Sequence, residues 1–213
     1  MRFIMPDKYV LIQEVFLLSK YECIRFEKKL AFHSAPALLG AKTANLISLS
    51  NRDFNIKAHT NRFNSKASSD GVKIRILCHC HSNTLILLYN EKMLCKKLNR
   101  PEIKSLLSRY GYRKDARIEE YLDTLSRRIS DCRDFPHEIG VFLDYPVEDI
   151  IGFIENKGKN FKMCGYWKVY SDTEYAKRTF EHYDKCRKFL CCKLNSGVDI
   201  YNAIKNSQEV FLS

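Results

Sequence analysis

The residues best suited to chemistry lie between Phe135 and Tyr170, in the run FPHEIGVFLDYPVEDIIGFIENKGKNFKMCGYWKVY. In this run the adjacent His137 and Glu138 are candidates for acid and base catalysis, and Cys164 is a candidate nucleophile. Neighbouring residues of a helix point about 100° apart, so His137 and Glu138 cannot both address one substrate atom. The alternative is structural: Glu138 would help to cap a helix, and His137 would bond to a nearby loop.

A second group of residues is better suited to binding. MCGYWKVY alternates as a strand over residues 163–170, so Tyr166, Lys168 and Tyr170 share one face. These side chains could stack against a planar anionic ligand such as a nucleotide or a flavin and pair with its charge. The alternative is that a helix covers this aromatic face.

The segment between the first predicted helix and residue 51 is apolar but irregular, because Pro36 and Gly40 interrupt it. A buried irregular segment must satisfy its backbone groups, which favours the wall of a pocket. Its polar side chains, His33, Lys42 and Asn45, are therefore candidate ligand-binding residues. The alternative makes His33 a hydrogen-bonded core residue and Lys42 a surface lysine.

The run Cys78-His79-Cys80-His81 contains residue types that bind zinc or iron. In a regular strand, however, the two cysteines share a face with Ile74 and Ile76, where they would be buried as small hydrophobic side chains. The two histidines would lie on the opposite, cationic face. The pattern therefore predicts no metal site. His182 and Cys186 are four residues apart on a helix, but no further ligands can be identified for them.

The elements that position these residues predict an α+β fold in one domain, 1–213, with helices at both ends. A small antiparallel sheet combines a hairpin at 72–89 with the strand at 163–170. The apolar spacing predicts helices at Pro6–Leu30, 51–70, 101–109, 115–130, 173–195 and 198–205, and a pair of short helices either side of Tyr145-Pro146. Asp134 is the predicted cap of the first of that pair, and Gly140 inside it predicts close packing against another element or a ligand.

Composition narrows the class of protein. Nine scattered cysteines favour reduced thiols and a cytoplasmic location, and the interrupted apolar runs near residue 1 predict neither a signal peptide nor a membrane span. The net charge of +11 suggests a protein that binds nucleic acid. The basic residues are spread over every predicted element and are not gathered on one face, so we do not favour this function. Walker, GxGxxG, HExxH and GxSxG motifs are absent from the sequence.

The runs PHEIG, FLDYPVED, GFIENKGKN and CGYWKVY, together with APALLGAKTANLISL and LLYN, resemble a family of uncharacterised proteins from anaerobic Gram-positive bacteria. The family carries a domain of unknown function, and the resemblance covers most of the chain. The sequence departs from the family pattern at Asp144, where a Gly is common, and at Ala37, where a Thr is common. The resemblance implies no catalytic residues, and it points to a redox- or iron-linked role.

Three functional hypotheses follow. The first is an uncharacterised cytoplasmic protein that binds a small molecule or a protein partner, in a pocket between the His33–Asn45 segment, the His137 helix and the Tyr166–Tyr170 strand. The second is an enzyme with His137 or His33 as base and Cys164 as nucleophile. The third is nucleic-acid binding through the basic surface. The sequence identifies no cofactor.

Overall fold

A computed structural model describes residues 18–67, 70–131 and 135–211. In this part of the chain, nine helices pack around a three-stranded and a two-stranded antiparallel sheet, so the predicted α+β class is confirmed. The helices are α1 (Lys20–Leu38), α2 (Ile56–Ala67), α3 (Glu91–Leu98), α4 (Pro101–Ser108), α5 (Ile118–Asp131), α6 (Ile139–Phe142), α7 (Val147–Glu155), α8 (Thr173–Asn195) and α9 (Ile200–Phe211). The strands are β1 (Ala44–Ser50), β2 (Val72–His79), β3 (Asn83–Asn90), β4 (Met163–Cys164) and β5 (Lys168–Val169).

The larger sheet has the order β1-β3-β2, with every pair antiparallel. The predicted hairpin at 72–89 is confirmed as β2 and β3, but the prediction that residues 163–170 supply the third strand was wrong. The third strand is β1, and residues 163–170 instead fold back on themselves as the separate β4–β5 pair. The sequence of β1, ANLISLS, lacks strict alternation because the strand is buried on parts of both faces.

Helix α1 differs from its prediction. Residues 6–17 of the predicted Pro6–Leu30 helix lie outside the described residues. The described helix begins after Ser19, whose side chain accepts a hydrogen bond from the Glu22 amide, and it continues through Pro36 to Leu38. The segment predicted to be irregular therefore contains the end of α1, at residues 31–38, and all of β1.

The sheet is covered on both faces. Ile86 and Leu88 of β3 belong to an apolar cluster formed with α1, α2, α8 and α9. Leu87 and Tyr89 belong to a second cluster on the other face, formed with α3 to α7. Because β3 is the central strand, its run of consecutive apolar residues is buried from both sides. No helix in the described ranges combines the length and the apolar character that crossing a membrane requires.

Local sequence patterns located most helices well. Predicted helices at 51–70, 101–109, 115–130 and 173–195 correspond to α2, α4, α5 and α8, and the C-terminal helix corresponds to α9. Of the two residues that could cap α8, Ser171 and Asp172, the cap is Asp172, which accepts a hydrogen bond of 2.9 Å from the Tyr175 amide. The predicted helix pair is also confirmed as α6 and α7, although Asp134 lies outside the described residues. A Cβ on Gly140 would lie 2.9 Å from Ile150, so this glycine does allow close packing between the two helices.

Strand β2 contains a bulge between Ile76 and Cys78 that changes which side chains are buried. Leu77 is 2% exposed, whereas Cys78 is only partly buried and Cys80 is exposed. The prediction that both cysteines are buried beside Ile76 was therefore wrong. The extra residue of the bulge reverses the alternation, which sequence periodicity does not reveal.

Candidate functional site

A cavity of about 330 Å³ lies between the α6–α7 pair and the β4–β5 pair. Its walls are mainly apolar and aromatic, and three of the residues predicted from the sequence border it: His137, Cys164 and Lys168. The other lining residues are Phe135, Ile139, Gly140, Leu143, Tyr145, Asp149, Ile150, Phe153, Gly165 and Trp167. The site thus combines the PHEIG, YPVED and CGYWKVY runs.

Asp149 of α7 joins the two pairs of elements. Its Oδ2 accepts a hydrogen bond of 2.7 Å from Trp167 Nε1. Its Oδ1 accepts three bonds of 2.8 Å, from the backbone amides of Tyr170 and Ser171 and from the Ser171 hydroxyl. Asp149 is 3% exposed, so four donors replace the water that its carboxylate loses on folding. Asp149 therefore positions the indole ring in the cavity wall.

The polar residues at the cavity lie beside aromatic rings. The Lys168 ammonium donates to the Gly158 carbonyl at 2.7 Å and lies 5.6 Å and 5.0 Å from the ring centroids of Phe153 and Phe161. The His137 ring meets Phe153 edge to face, with centroids 5.0 Å apart. Cys164 is exposed at this site. The arrangement offers a cation, an imidazole and a thiol to a molecule held among aromatic walls.

Glu138 lies outside the cavity. Its carboxyl group is 1% exposed, and Oε1 accepts hydrogen bonds from Arg128 Nε and from the Tyr112 hydroxyl, the latter at 3.3 Å. It makes no side-chain cap at the start of α6. Burial, together with the nearby Glu138 charge, raises the pKa of Tyr112. Glu138 therefore ties α6 to α5, and its neighbour His137 is left at the cavity.

Tyr166 and Tyr170 also lie outside the cavity. The Tyr166 hydroxyl donates to Asp184 at 2.8 Å and accepts from Arg187 at 2.6 Å, so α8 covers this part of the strand face. Tyr170 packs against Gly152, where an added Cβ would lie 2.6 Å from the tyrosine side chain. The aromatic face predicted to meet a ligand is thus divided, with only Lys168 directed to the cavity.

The three residues of the predicted pocket wall, His33, Lys42 and Asn45, do not line the cavity. His33 lies on the outer face of α1 in a shallow depression with Lys29 and Phe32. Partial burial and the charges of Lys29 and Arg187 lower its pKa. Asn45 is buried in β1, and its Oδ1 has no hydrogen-bond partner among the described residues. None of the three borders the 330 Å³ cavity.

A protein-family model described as "Protein of unknown function (DUF3793)" matches residues 30–204, which include every residue that lines the cavity. The chain belongs to the DUF3793 family. The resemblance inferred from its sequence runs to a family of unknown function is therefore confirmed. Neither the curated proteins nor the solved structures contain a match to the chain.

Two cavity residues of this DUF3793 protein were not identified as functional candidates from the sequence. Local patterns place Asp149 in the first turn of a helix and Trp167 on one face of a strand, and neither position by itself indicates a role in binding or catalysis. The one available indication was that both occur within the runs that resemble the family. Their contact joins residues 18 positions apart, which local periodicity does not predict.

Lys42 of the DUF3793 chain is a buried cation rather than a surface lysine. It is 3% exposed, and its ammonium lies 5.2 Å from the ring centroid of Tyr145 and 5.4 Å from that of Tyr183. Burial lowers the pKa of Lys42 from 10.5 to about 8, although the Asp144 charge partly opposes the shift. Tyr145 also borders the cavity, whereas Lys42 does not, so Lys42 contacts a residue of the cavity wall without lining the cavity itself.

We expect the stability of the protein to depend on pH through Lys42. Because the folded-state pKa lies below the unfolded value, the unfolded chain binds more protons between pH 8 and 10.5, and stability rises with pH over this window. Relative to Lys42→Met, the wild type should gain about 2 kcal/mol in free energy of unfolding between pH 7 and pH 9.5. Urea unfolding at both pH values measures the gain.

The comparison with Lys42→Met cancels the titration of the buried tyrosines, which are present in both proteins. Lys162→Met, at an exposed position, serves as a control for effects of pH that do not involve burial. A difference between wild type and Lys42→Met that stays constant over this pH range would contradict a buried, partly deprotonated amine.

Proposed function

We propose that this DUF3793 protein binds a small planar aromatic molecule with a negatively charged group in the cavity between α6–α7 and β4–β5. The observation that carries the proposal is the composition of the cavity: aromatic rings form much of its wall, and Lys168 is its cation. Its volume of about 330 Å³ lies at the lower end of the range for ligand pockets, about 300–1,000 Å³.

The hydrogen bonds of the site favour an anion over a cation. Both oxygens of Asp149, the carboxylate in the wall, already accept bonds from Trp167, Tyr170 and Ser171. Lys168 uses one of its three donors on the Gly158 carbonyl, which leaves donors for a ligand. A carboxylate or phosphate on an aromatic ring would pair with Lys168 while the ring lies against Phe153 and Trp167.

Trp167 provides a direct measurement because it is the only tryptophan in the chain. Titration with one- and two-ring aromatic carboxylates should quench its fluorescence to saturation. Lys168→Met should weaken binding of the carboxylates about tenfold while leaving neutral amide analogues unchanged, which corresponds to about 1.4 kcal/mol for the lost charge pair. Lys162→Met is the matched control, since Lys162 is exposed and bonds the Ser171 carbonyl outside the cavity.

Alkylation of Cys164 gives an independent readout. A bound carboxylate should slow iodoacetamide labelling of Cys164, at the cavity, without changing the labelling of Cys192, which is exposed on α8. A panel in which no compound quenches Trp167 and none protects Cys164 would overturn the proposal. Urea unfolding of each variant confirms that weakened binding does not reflect loss of the fold.

An enzymatic role remains a prediction supported by one observation, that His137 and Cys164 border the same cavity. The labelling experiment also tests this second candidate. A nucleophilic Cys164 should react with iodoacetamide markedly faster than Cys192, and substitution of His137 by Asn should remove the difference. The redox- or iron-linked role implied by the family resemblance also remains a prediction.

A further inference from the structure

Two thiols lie in contact at the end of β2, far along the chain from the cavity. The Sγ atoms of Cys78 and Cys80 are 3.4 Å apart. Residues i and i+2 of a regular strand are separated by about 6.6 Å along the strand axis, and their side chains stand roughly parallel. The bulge before Cys78 and the end of the strand at His79 relax this geometry and let the two sulfurs meet.

The backbone around the pair is held by hydrogen bonds, whereas the sulfurs are accessible. The Cys80 amide donates to the Asn83 carbonyl at 2.9 Å, and the Asn51 side chain donates to the Cys80 carbonyl at 2.7 Å. The backbone N–H of Asn51 also donates to the Ser82 carbonyl at 2.9 Å. Cys80 is exposed and Cys78 is partly buried, so a reagent can reach the pair without unfolding of the hairpin.

We propose that Cys78 and Cys80 form a dithiol–disulfide couple that exchanges with low-molecular-weight disulfides such as oxidised glutathione. In the reduced protein their contact raises the pKa of the Cys80 thiol, as expected for two adjacent groups that share one proton. A disulfide bond of about 2.05 Å requires the sulfurs to approach by about 1.4 Å, a change within reach of side-chain rotation.

The exchange proceeds in two steps that balance. The thiolate of one cysteine attacks a sulfur of the small disulfide, whose S–S bond breaks, and one small thiolate leaves with the electron pair. The thiolate of the second cysteine then attacks the protein sulfur of the mixed disulfide and releases the other small thiolate. Two protein thiols are oxidised, the small disulfide is reduced to two thiols, and the two protons released by the cysteines end on those thiols.

Another cysteine pair in the chain serves as an internal control. Cys191 and Cys192 are consecutive residues of α8, so their side chains point about 100° apart around the helix. They resemble Cys78 and Cys80 in sequence proximity but not in geometry. If a disulfide forms between Cys78 and Cys80 but not between Cys191 and Cys192, its formation depends on the folded geometry and not only on the short spacing in the sequence.

The test uses the reduced protein, residues 1–213, which is equilibrated with defined ratios of reduced and oxidised glutathione, quenched with acid, alkylated and digested with trypsin. The peptide from Ile76 to Lys92 contains Cys78 and Cys80 and no other cysteine. We expect this peptide to lose two hydrogens and to take no alkyl label at ratios where the Cys191–Cys192 peptide remains fully alkylated.

Two comparisons make the result decisive. In Cys78→Ser, the remaining Cys80 should carry one glutathione instead of an internal bond. In urea-denatured protein, the equilibrium constant for closing the bridge should fall at least about tenfold, because the bulge and the Asn51 bonds no longer hold the pair. Glutathione on both cysteines of the wild type, or equal bridge formation in folded and denatured protein, would overturn the proposal.

Discussion

Asp149→Asn should lower the free energy of unfolding by about 3–5 kcal/mol, one of the largest effects expected in this protein from the exchange of a single heavy atom. Both oxygens of the wild-type carboxylate accept hydrogen bonds. One accepts from Trp167 and the other from the backbone amides of Tyr170 and Ser171. An asparagine can serve only one side with its oxygen, and its amide group then faces an N–H donor on the other. At least one buried donor therefore loses its partner. Urea unfolding followed by circular dichroism measures the loss.

The neighbouring residue supplies the control for Asp149→Asn. Glu148 also lies in the first turn of α7 but is exposed, and Glu148→Gln makes the same change in charge. We expect its effect to remain within about 0.5 kcal/mol. If both variants unfold at the same urea concentration as the wild type, the four hydrogen bonds of Asp149 do not contribute as the structure indicates.

Glu138→Ala should cost about 3 kcal/mol or more, because it removes the carboxylate that pairs with Arg128 and accepts a bond from Tyr112. The Arg128 side chain is only 26% exposed, so water replaces the lost ion pair incompletely. The loss should appear as lower stability before any effect on ligand binding. It is measured by urea unfolding in parallel with the quenching of Trp167 by an aromatic carboxylate.

An exposed ion pair of the same kind is the control for Glu138→Ala. Asp123 on α5 pairs with Arg75, but these side chains are 61% and 44% exposed. Exposed pairs contribute about 0–1 kcal/mol, so Asp123→Ala should have a small effect. If Glu138→Ala were as stable as Asp123→Ala but had lost ligand binding, Glu138 would act in the site and not in the attachment of α6 to α5.

Short-range patterns predicted the features that depend on neighbouring residues. Helix α8 follows from apolar spacing, and its start follows from two adjacent residues, Ser171 and Asp172, whose side chains can accept from a following amide; Asp172 is the one that does so. Gly140 was expected to mark close packing, and it lies against Ile150. In each case the two residues in contact lie within ten positions of each other along the chain.

The errors involve contacts between distant residues. Strand β1 pairs with β3 about forty residues later, and its burial on both faces removed the alternation by which a strand is recognised. Pro36 predicts a break in regular structure, but the structure places it in the last turn of α1. The bulge before Cys78 turned a pair of predicted core thiols into an accessible pair.

The sequence by itself determined the α+β class, the presence of most helices and the DUF3793 family, and it placed His137, Cys164 and Lys168 among the candidate residues. Only the tertiary structure decided that these three residues border one cavity while the other six candidates lie elsewhere. It also decided that Asp149 organises the site. The physical reason is that helix formation depends on residues within one turn, whereas burial, strand pairing and hydrogen bonds between elements depend on how the whole chain packs.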